Sequence, residues 1–500
     1  MPHYLSEEEL SRTAPAELAS FRSPIPTQIV SNDEYYPTPQ TPKQREVEAR
    51  VKALGNELAK KMGMSRRQFF KTASGMAAAF VVMNDVYGRL YDATRAEAAD
   101  KEMAGERAKA LSGQFIMDDQ VHFLRDDTRI QIFVLMRQAV GKAGWNPALG
   151  DKPQTIEDLK FNNFFKEMFL DSDTKVAVLS SAPSDIPGDW FLTNEMAAEA
   201  RAKVNAKLGA RRLLAHAIVT PGQPGWMEEV DKAIAVLKPD SFKGYTIGDN
   251  TNKKTSKYPW RLDDEKLVYP FYEKAVKAGL VNICIHKGLF PPSVEKQFPH
   301  LLAYSDVRDV GKAAKDWPQL NFIIYHGGYR FPGGGVAADA WARFEKTGRI
   351  EWVSDLIEIP GKYGVKNVYA DVGQLFAQTT IAEPRVTAAL MGMMIKGLGA
   401  DHVVWGTDAI WTGAPQWQIE GLRRLEIPED MQKKYGYAPL GPADGPTKNA
   451  IFGENSARLY KFQKSAELGG PRDRLTAMKE EYERSGSGRS NLRYGYIAKA

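Results

Sequence analysis

The chain runs to 500 residues, 43% hydrophobic and 26% charged, with a net charge of +5 at neutral pH. So mild a charge, with acids and bases interleaved, excludes a nucleic-acid-binding role, and the single cysteine, Cys284, excludes a disulfide framework and a cysteine-based zinc knuckle. No apolar window approaches the ~18 residues of a membrane-spanning helix, so stable membrane insertion is not expected.

In chain order, residues 1–64 read as an N-terminal extension. It holds a proline-rich, irregular stretch at 23–44 and a charged helical stretch at 45–63. Residues 65–100 follow, opening on "SRRQFFK" and continuing with the apolar run "TASGMAAAFVVMNDVYG". Paired arginines, a phenylalanine next but one and an apolar run resemble a twin-arginine export signal, and small residues around Ala96 and Ala98 give cleavage spacing. The expectation is export to the periplasm or another extracytoplasmic space. A basic amphipathic helix in a cytoplasmic protein is the alternative, and the long stretch before the motif is unusual for a signal.

From 113 to 462 short β-rich runs alternate with helical stretches. The runs are 114–123, 174–183, 211–222, 241–248, 281–288, 321–329, 366–374 and 401–411. Alternating strand and helix predicts a parallel sheet, and eight such units predict a (β/α)8 TIM barrel, an α/β fold whose chemistry sits at the strand C-termini. A doubly wound open sheet is the competing architecture, but no glycine-rich phosphate fingerprint follows any strand. Residues 463–500 read as a charged C-terminal arm, expected to order against a second copy of the chain in a homodimer.

Polar residues fall late in several of these runs. "NICIHKG" ends on His286, "NFIIYHGGY" on His326, and "VVWGTDAIW" carries Asp408 just past its apolar stretch. A carboxylate there is costly to bury without a cation or a hydrogen-bond donor. Singly, a buried histidine with a satisfied hydrogen bond is the commoner case. Three such residues in one register are what a divalent metal with an open position needs.

The segments "RLDDEKLVYPFYEKAVKAGLVNICIHKG", "NFIIYHGGY", "KNVYADVGQ" and "DHVVWGTDAIW", with the closing "NAIFGENSARLYKF", resemble the second amidohydrolase group of the amidohydrolase superfamily. That group holds aminocarboxymuconate-semialdehyde decarboxylase, γ-resorcylate decarboxylase and pyrone-dicarboxylate lactonase. The resemblance implies a distorted barrel with one divalent ion, zinc or else manganese, magnesium or iron. It implies His122, His286 and Asp408 as metal ligands, Asp408 also accepting a proton from bound water. It implies His326 as the residue that shuttles protons or polarises the substrate.

Gln120 departs from that pattern, which has histidine or glutamate two residues before the strand-one ligand. Alternation by two puts Gln120 on the face of His122, with Asp118 deeper on the same face. An amide oxygen is a neutral, weak ligand, which loosens zinc more than an oxygen-preferring ion. Three readings stay open: a mononuclear site with three strong ligands, a site for a metal other than zinc, and a centre that has lost metal and catalysis. Lys243 reads as substrate-contacting or structural, His216 as a core residue and Cys284 as a small buried one. Trp260, Lys287, Tyr329, Arg330 and Trp411 flank the strand ends and are expected to line a pocket for an aromatic or carboxylated small molecule. The stretches 248–260, 330–335 and 438–448 are read as lids or surface loops.

The expected function is metal-dependent hydrolysis of a C–O or C–N bond, with Asp408 as base and His326 steadying the developing oxyanion. Non-oxidative decarboxylation at the same site is the alternative. A non-catalytic exported binding protein with a degenerate site is the second.

Overall fold

The computed structural model describes residues 23–28, 39–128, 130–143, 155–249, 256–330, 334–470 and 473–485. Parts of the N-terminal extension, of the stretches at 248–260 and 330–335, and of the C-terminal arm lie outside these residues.

Eight strands form one sheet in sequence order: β1 Met117–Val121, β2 Val176–Leu179, β3 Leu213–Val219, β4 Ser241–Tyr245, β5 Asn282–His286, β6 Asn321–Tyr325, β7 Val368–Asp371 and β8 Val403–Val404. Every neighbouring pair is parallel. β8 ends after two residues, and the chain beyond it completes the ring. Asp119 N–H donates to Trp405 O at 2.8 Å, Asp408 N–H to Gln120 O at 3.0 Å, and His122 N–H to Ala409 O at 2.6 Å. The expected (β/α)8 TIM barrel is therefore the fold, with its strands buried on both faces as parallel strands under helices must be.

The inner layer is apolar towards the N-terminal ends of the strands, where Met117, Val176, Leu214, Cys284 and Ile323 meet. Leu459, Tyr460 and Phe462 close that end as a plug, and Asn282 Nδ2 pins it by donating to Leu459 O at 2.8 Å. The 438–448 stretch packs at this same end: Gln114, just before β1, donates from Nε2 to Ala443 O at 2.9 Å. It is therefore no lid over the strand C-termini.

Before the barrel, helices span Pro42–Lys61, Arg66–Phe70, Ala73–Tyr87, Arg95–Ala99 and Lys101–Leu111. Thr41 caps the first through a reciprocal capping box with Gln44, and Ser65 caps the second with Gln68. Arg66 and Arg67 are exposed, whereas the apolar run of the signal-like segment is the helix Ala73–Tyr87, whose Ala77, Ala78, Ala79 and Phe80 are fully buried in the main core. Tyr91 bridges to Leu425, and Arg424 donates from Nη1 and Nη2 to Glu97 at 2.9 and 2.6 Å in a buried pair. Residues 66–111 are thus built into the barrel's outer layer.

The described part of the C-terminal arm is also helical, Lys464–Glu467 and Leu475–Arg484. It folds back on its own barrel: Leu475 and Tyr482 enter the core, and Tyr482 Oη donates to Asp171 Oδ1 at 2.9 Å. An arm reserved for a partner subunit would leave those side chains free, and up to residue 485 they are not.

Candidate functional site

β1 delivers the first two polar groups. Its pairing with β2 slips between Asp118 and Val121, and a bulge of this kind re-aims side chains beside a site. The two-residue alternation that put Asp118 alongside Gln120 is broken there. Asp118 instead secures the seam, accepting from Thr407 N–H at 3.0 Å, Thr407 Oγ1–H at 2.5 Å and Gln120 N–H at 3.2 Å. Burial pushes its carboxyl up to about 7 against the pull of these bonds.

Across the seam, Asp408 and His326 both hold left-handed backbone, φ 57° and 61°. Non-glycine residues there cost of order 1–3 kcal/mol each and cluster at functional sites. Asp408 Oδ1 accepts from Gln120 Nε2–H at 2.9 Å and lies 3.0 Å from His122 Nε2. Gln120 Nε2 is also 3.5 Å from both His122 Nε2 and His326 Nε2. The structure therefore brings Gln120, His122, His326 and Asp408 together, with His286 next to them: its Nδ1 is 3.1 Å from His326 Nε2. All five are essentially inaccessible to solvent.

Hydrogen-bond logic assigns the protons. His326 Nδ1 faces the carbonyl of Gly373 at 3.0 Å, which only accepts, so Nδ1 carries the hydrogen and Nε2 the lone pair. His286 Nδ1 must then donate to it. Burial is the main cause pulling the His326 imidazolium down to about 4, with Asp408 opposing, so the ring is neutral at pH 7. His122 Nε2 lies beside the Asp408 carboxylate. Its Nδ1 is buried with no hydrogen-bond partner among the described residues.

Aromatic rings wall the group. Trp411 stacks on His122 at 5.5 Å and on Phe133 at 5.5 Å, with Phe191 edge-on. Tyr245 stacks on His286 at 4.8 Å. Lys243 Nζ lies 3.2 Å over the Tyr325 ring, a cation–π contact. His216 bonds Ser241 Oγ at 2.6 Å and Tyr325 Oη at 2.8 Å, deeper in the barrel. Cys284 is buried beside Tyr460, its thiol pushed up to about 12 by desolvation.

Other residues expected in the pocket are engaged elsewhere. Lys287 Nζ is buried in an ion pair with Asp309 at 2.9 Å and on Tyr304 O at 2.9 Å. Arg330 pairs with Glu295 at 2.6 Å and with Glu351, over the Trp352 ring. Trp260 fills the space beside Gly244, where a Cβ would stand 2.5 Å from its ring, and Tyr329 is a core residue. Loop side chains that follow a strand were free to turn outward into packing, and these did.

Sequence reasoning passed over Asp371 and Gly373. Asp371 accepts from Gly373 N–H at 2.8 Å, and burial pushes it up to about 8. Gly373 offers His326 its carbonyl, and a Cβ on it would stand 2.3 Å from Gln120 Oε1. The signal was present: "VYADVG" repeats the apolar-run-then-acid pattern of the other strand ends.

The donor set does not fit a divalent ion. Among the described residues no three His, Cys, Asp or Glu side chains gather as ligands. A metal-ligating histidine donates its other ring N–H to a fixed acceptor, and His122 Nδ1 has none. The atom that completes a triangle with His122 Nε2 and Asp408 Oδ1 is an amide nitrogen, which has no lone pair to give.

A parallel barrel with buried acid–base residues at its strand C-termini defines an enzyme-type TIM barrel. The family described as amidohydrolase, of the Amidohydro_2 type, matches residues 176–462, and the chain belongs to it. No curated protein matches the chain. Among solved structures it is similar to an uncharacterized TIM-barrel protein from Bordetella bronchiseptica, at 14% identity and TM-score 0.44 over 69% of this chain and 98% of that one. It is similar also to 2,6-dihydroxybenzoate decarboxylase from Rhizobium, at 16% and 0.41 over 70% and 99%. A third is 5-carboxyvanillate decarboxylase from Novosphingobium aromaticivorans with bound manganese, at 14% and 0.41 over 70% and 98%.

Proposed function

We propose that this amidohydrolase-family chain is a carboxy-lyase, removing CO₂ without oxidation from a small hydroxylated, aromatic carboxylic acid. The observation that supports this over hydrolysis is the arrangement around Asp408 Oδ1, which accepts from Gln120 Nε2–H at 2.9 Å and lies 3.0 Å from His122 Nε2, within ion-pair distance. That oxygen is thus turned towards Gln120 and His122 rather than towards water. Hydrolysis at neutral pH needs a base turned to water, or an ion, to create the nucleophile. Decarboxylation needs an acid beside carbon, and an imidazole paired with a carboxylate is one.

In the proposed step, the imidazolium form of His122, its Nε2 beside Asp408, gives its Nδ1 proton to the ring carbon that bears the carboxylate and returns to the neutral ring. The carbon–carboxylate bond then breaks, its electrons return to the ring, and CO₂ leaves. His326 is neutral at pH 7, so it orients His286 rather than serving as the acid. A buried acceptor, Gln120 Oε1, has no partner among the described residues. A substrate hydroxyl is a group that would satisfy it. The stacked Trp411 and Tyr245 suit a flat ring.

Turnover of hydroxybenzoate-type acids in D₂O tests this. One deuterium should appear on the product carbon that lost the carboxylate. Cleavage of ester, lactone or amide panels without such incorporation would establish hydrolysis instead, and no turnover of either would favour the binding-protein reading. We propose, separately, export by a twin-arginine route, which the exposed Arg66 and Arg67 leave accessible to a receptor. Replacing both with lysine should trap the protein in the cytoplasm; an unchanged distribution would refute export.

A further inference from the structure

We propose that the carboxamide of Gln120 stands where a divalent cation held by His122 and Asp408 would sit, so that the centre excludes such an ion and is organised by hydrogen bonds alone. The inference goes beyond the reaction proposed above and holds whichever bond is broken.

The geometry is specific. Two adjacent ligands on one ion, each at about 2.0–2.2 Å, have donor atoms about 3–3.5 Å apart across tetrahedral and octahedral geometries. His122 Nε2 and Asp408 Oδ1 have that spacing, 3.0 Å. The ion would lie in the crook between them. Gln120 Nε2 lies there instead, 2.9 Å from the carboxylate oxygen and 3.5 Å from the imidazole nitrogen. It is also 3.5 Å from His326 Nε2, so one nitrogen is central to three groups that a cation would have drawn together. An ion at bonding distance from His122 and Asp408, on the side that also faces His326, would overlap that nitrogen.

Chemistry fixes which way the amide points. A carboxylate only accepts, so the –NH₂ end faces Asp408. The oxygen end then lies against Gly373, where any larger residue would collide: a Cβ would stand 2.3 Å away. Turning the amide over to offer its oxygen to an ion would set the –NH₂ against Gly373 and strip Asp408 of a buried donor. The partial positive charge of the amide hydrogens thus stabilises Asp408 as a cation otherwise would, more weakly and without Lewis acidity.

The test is metal content, independent of activity. Tag-free full-length protein is loaded with Zn²⁺ or Mn²⁺, dialysed, and assayed by plasma mass spectrometry and thermal melting. Wild type is expected to retain well under one ion per chain, with no shift in melting temperature. Gln120→His and Gln120→Glu, which put a lone pair in place of the –NH₂, are expected to retain about one ion per chain and to melt higher when loaded, since an ion bound only by the folded state stabilises it. Wild type holding about one ion per chain, lost on His122→Ala, overturns the proposal. So do folded Gln120→His and Gln120→Glu proteins that bind no more than wild type. Should neither variant fold, the wild-type stoichiometry alone decides.

Discussion

Gln120 and Asp408, 288 positions apart in sequence, meet at 2.9 Å across the seam that closes the barrel. The backbone does the same a few atoms away, Asp408 N–H donating to Gln120 O at 3.0 Å. The side-chain contact therefore rides on the closure of the fold: any change that loosens the seam disturbs the chemistry.

Thr407 holds Asp118 with both its hydroxyl and its N–H. Thr407→Val keeps the shape and removes the hydroxyl donor, leaving a buried carboxyl short of a partner. A loss of about 1–3 kcal/mol is expected from chemical denaturation.

Buried acids also set a pH dependence. Asp118 and Asp371 titrate near 7 and 8 in the folded chain, from an ordinary value of 3.8, chiefly because burial disfavours the charge. Between pH 4 and those values the folded state holds protons the unfolded state has released, so stability falls as pH rises through this window. The urea midpoint is expected to be higher at pH 5.5 than at pH 8.5, and Asp371→Asn should flatten the slope. A midpoint that rises with pH across this range would contradict the assignment.

Asp408→Asn, which removes the charge paired with the proton-donating His122, should lower turnover by about 10²–10⁴-fold, the range of an impaired acid–base group. Its effect on KM should be small, and circular dichroism should stay native. Comparable loss with unchanged folding for His122→Phe would place the two residues in one unit.

Lys287 and Asp309 form a fully buried ion pair away from the proton network. Lys287→Ala strands a buried carboxylate and should cost about 3–5 kcal/mol. The double variant Lys287→Met with Asp309→Leu should recover most of that. A selective rise in KM with intact stability would restore Lys287 to the substrate pocket.

The signal-like segment offers the last test. Arg424 and Glu97 pair inside the protein, and helix Ala73–Tyr87 is core. Removing residues 1–98 should give an unstable, aggregating chain, and Glu97→Gln should destabilise by about 1–3 kcal/mol, since Arg424 keeps Glu420 and the Asp92 carbonyl. Intact-mass measurement of the native protein is expected to show residues 65–100 retained.

Much was legible in advance because barrel strands announce themselves. A short apolar run ending in His, Asp or Lys is a pattern in one dimension, and burial on both faces dictates it. The eight strands, their order and the cluster of His122, His286, His326 and Asp408 at their ends follow from that pattern. Asp371 obeys it too and was readable from "VYADVG". The apolar character of 73–87 was equally visible, but an apolar run reads alike whether it is meant for export or for burial. Packing shows that this run is buried in the folded chain.

What the tertiary structure alone decided concerns direction and partner. Trp260, Lys287 and Arg330 follow strand ends as Trp411 does, yet only Trp411 turns onto the histidines, because backbone torsion beyond a strand is not encoded in its apolar pattern. Gln120 is the sharpest case. The sequence by itself determined that an amide replaces a ligand two residues before His122. A carboxamide has a donor end and an acceptor end, and its role depends on which faces Asp408. That choice is made by a carboxylate that can only accept, arriving from the far end of the chain, and by a glycine whose missing side chain leaves room for the oxygen.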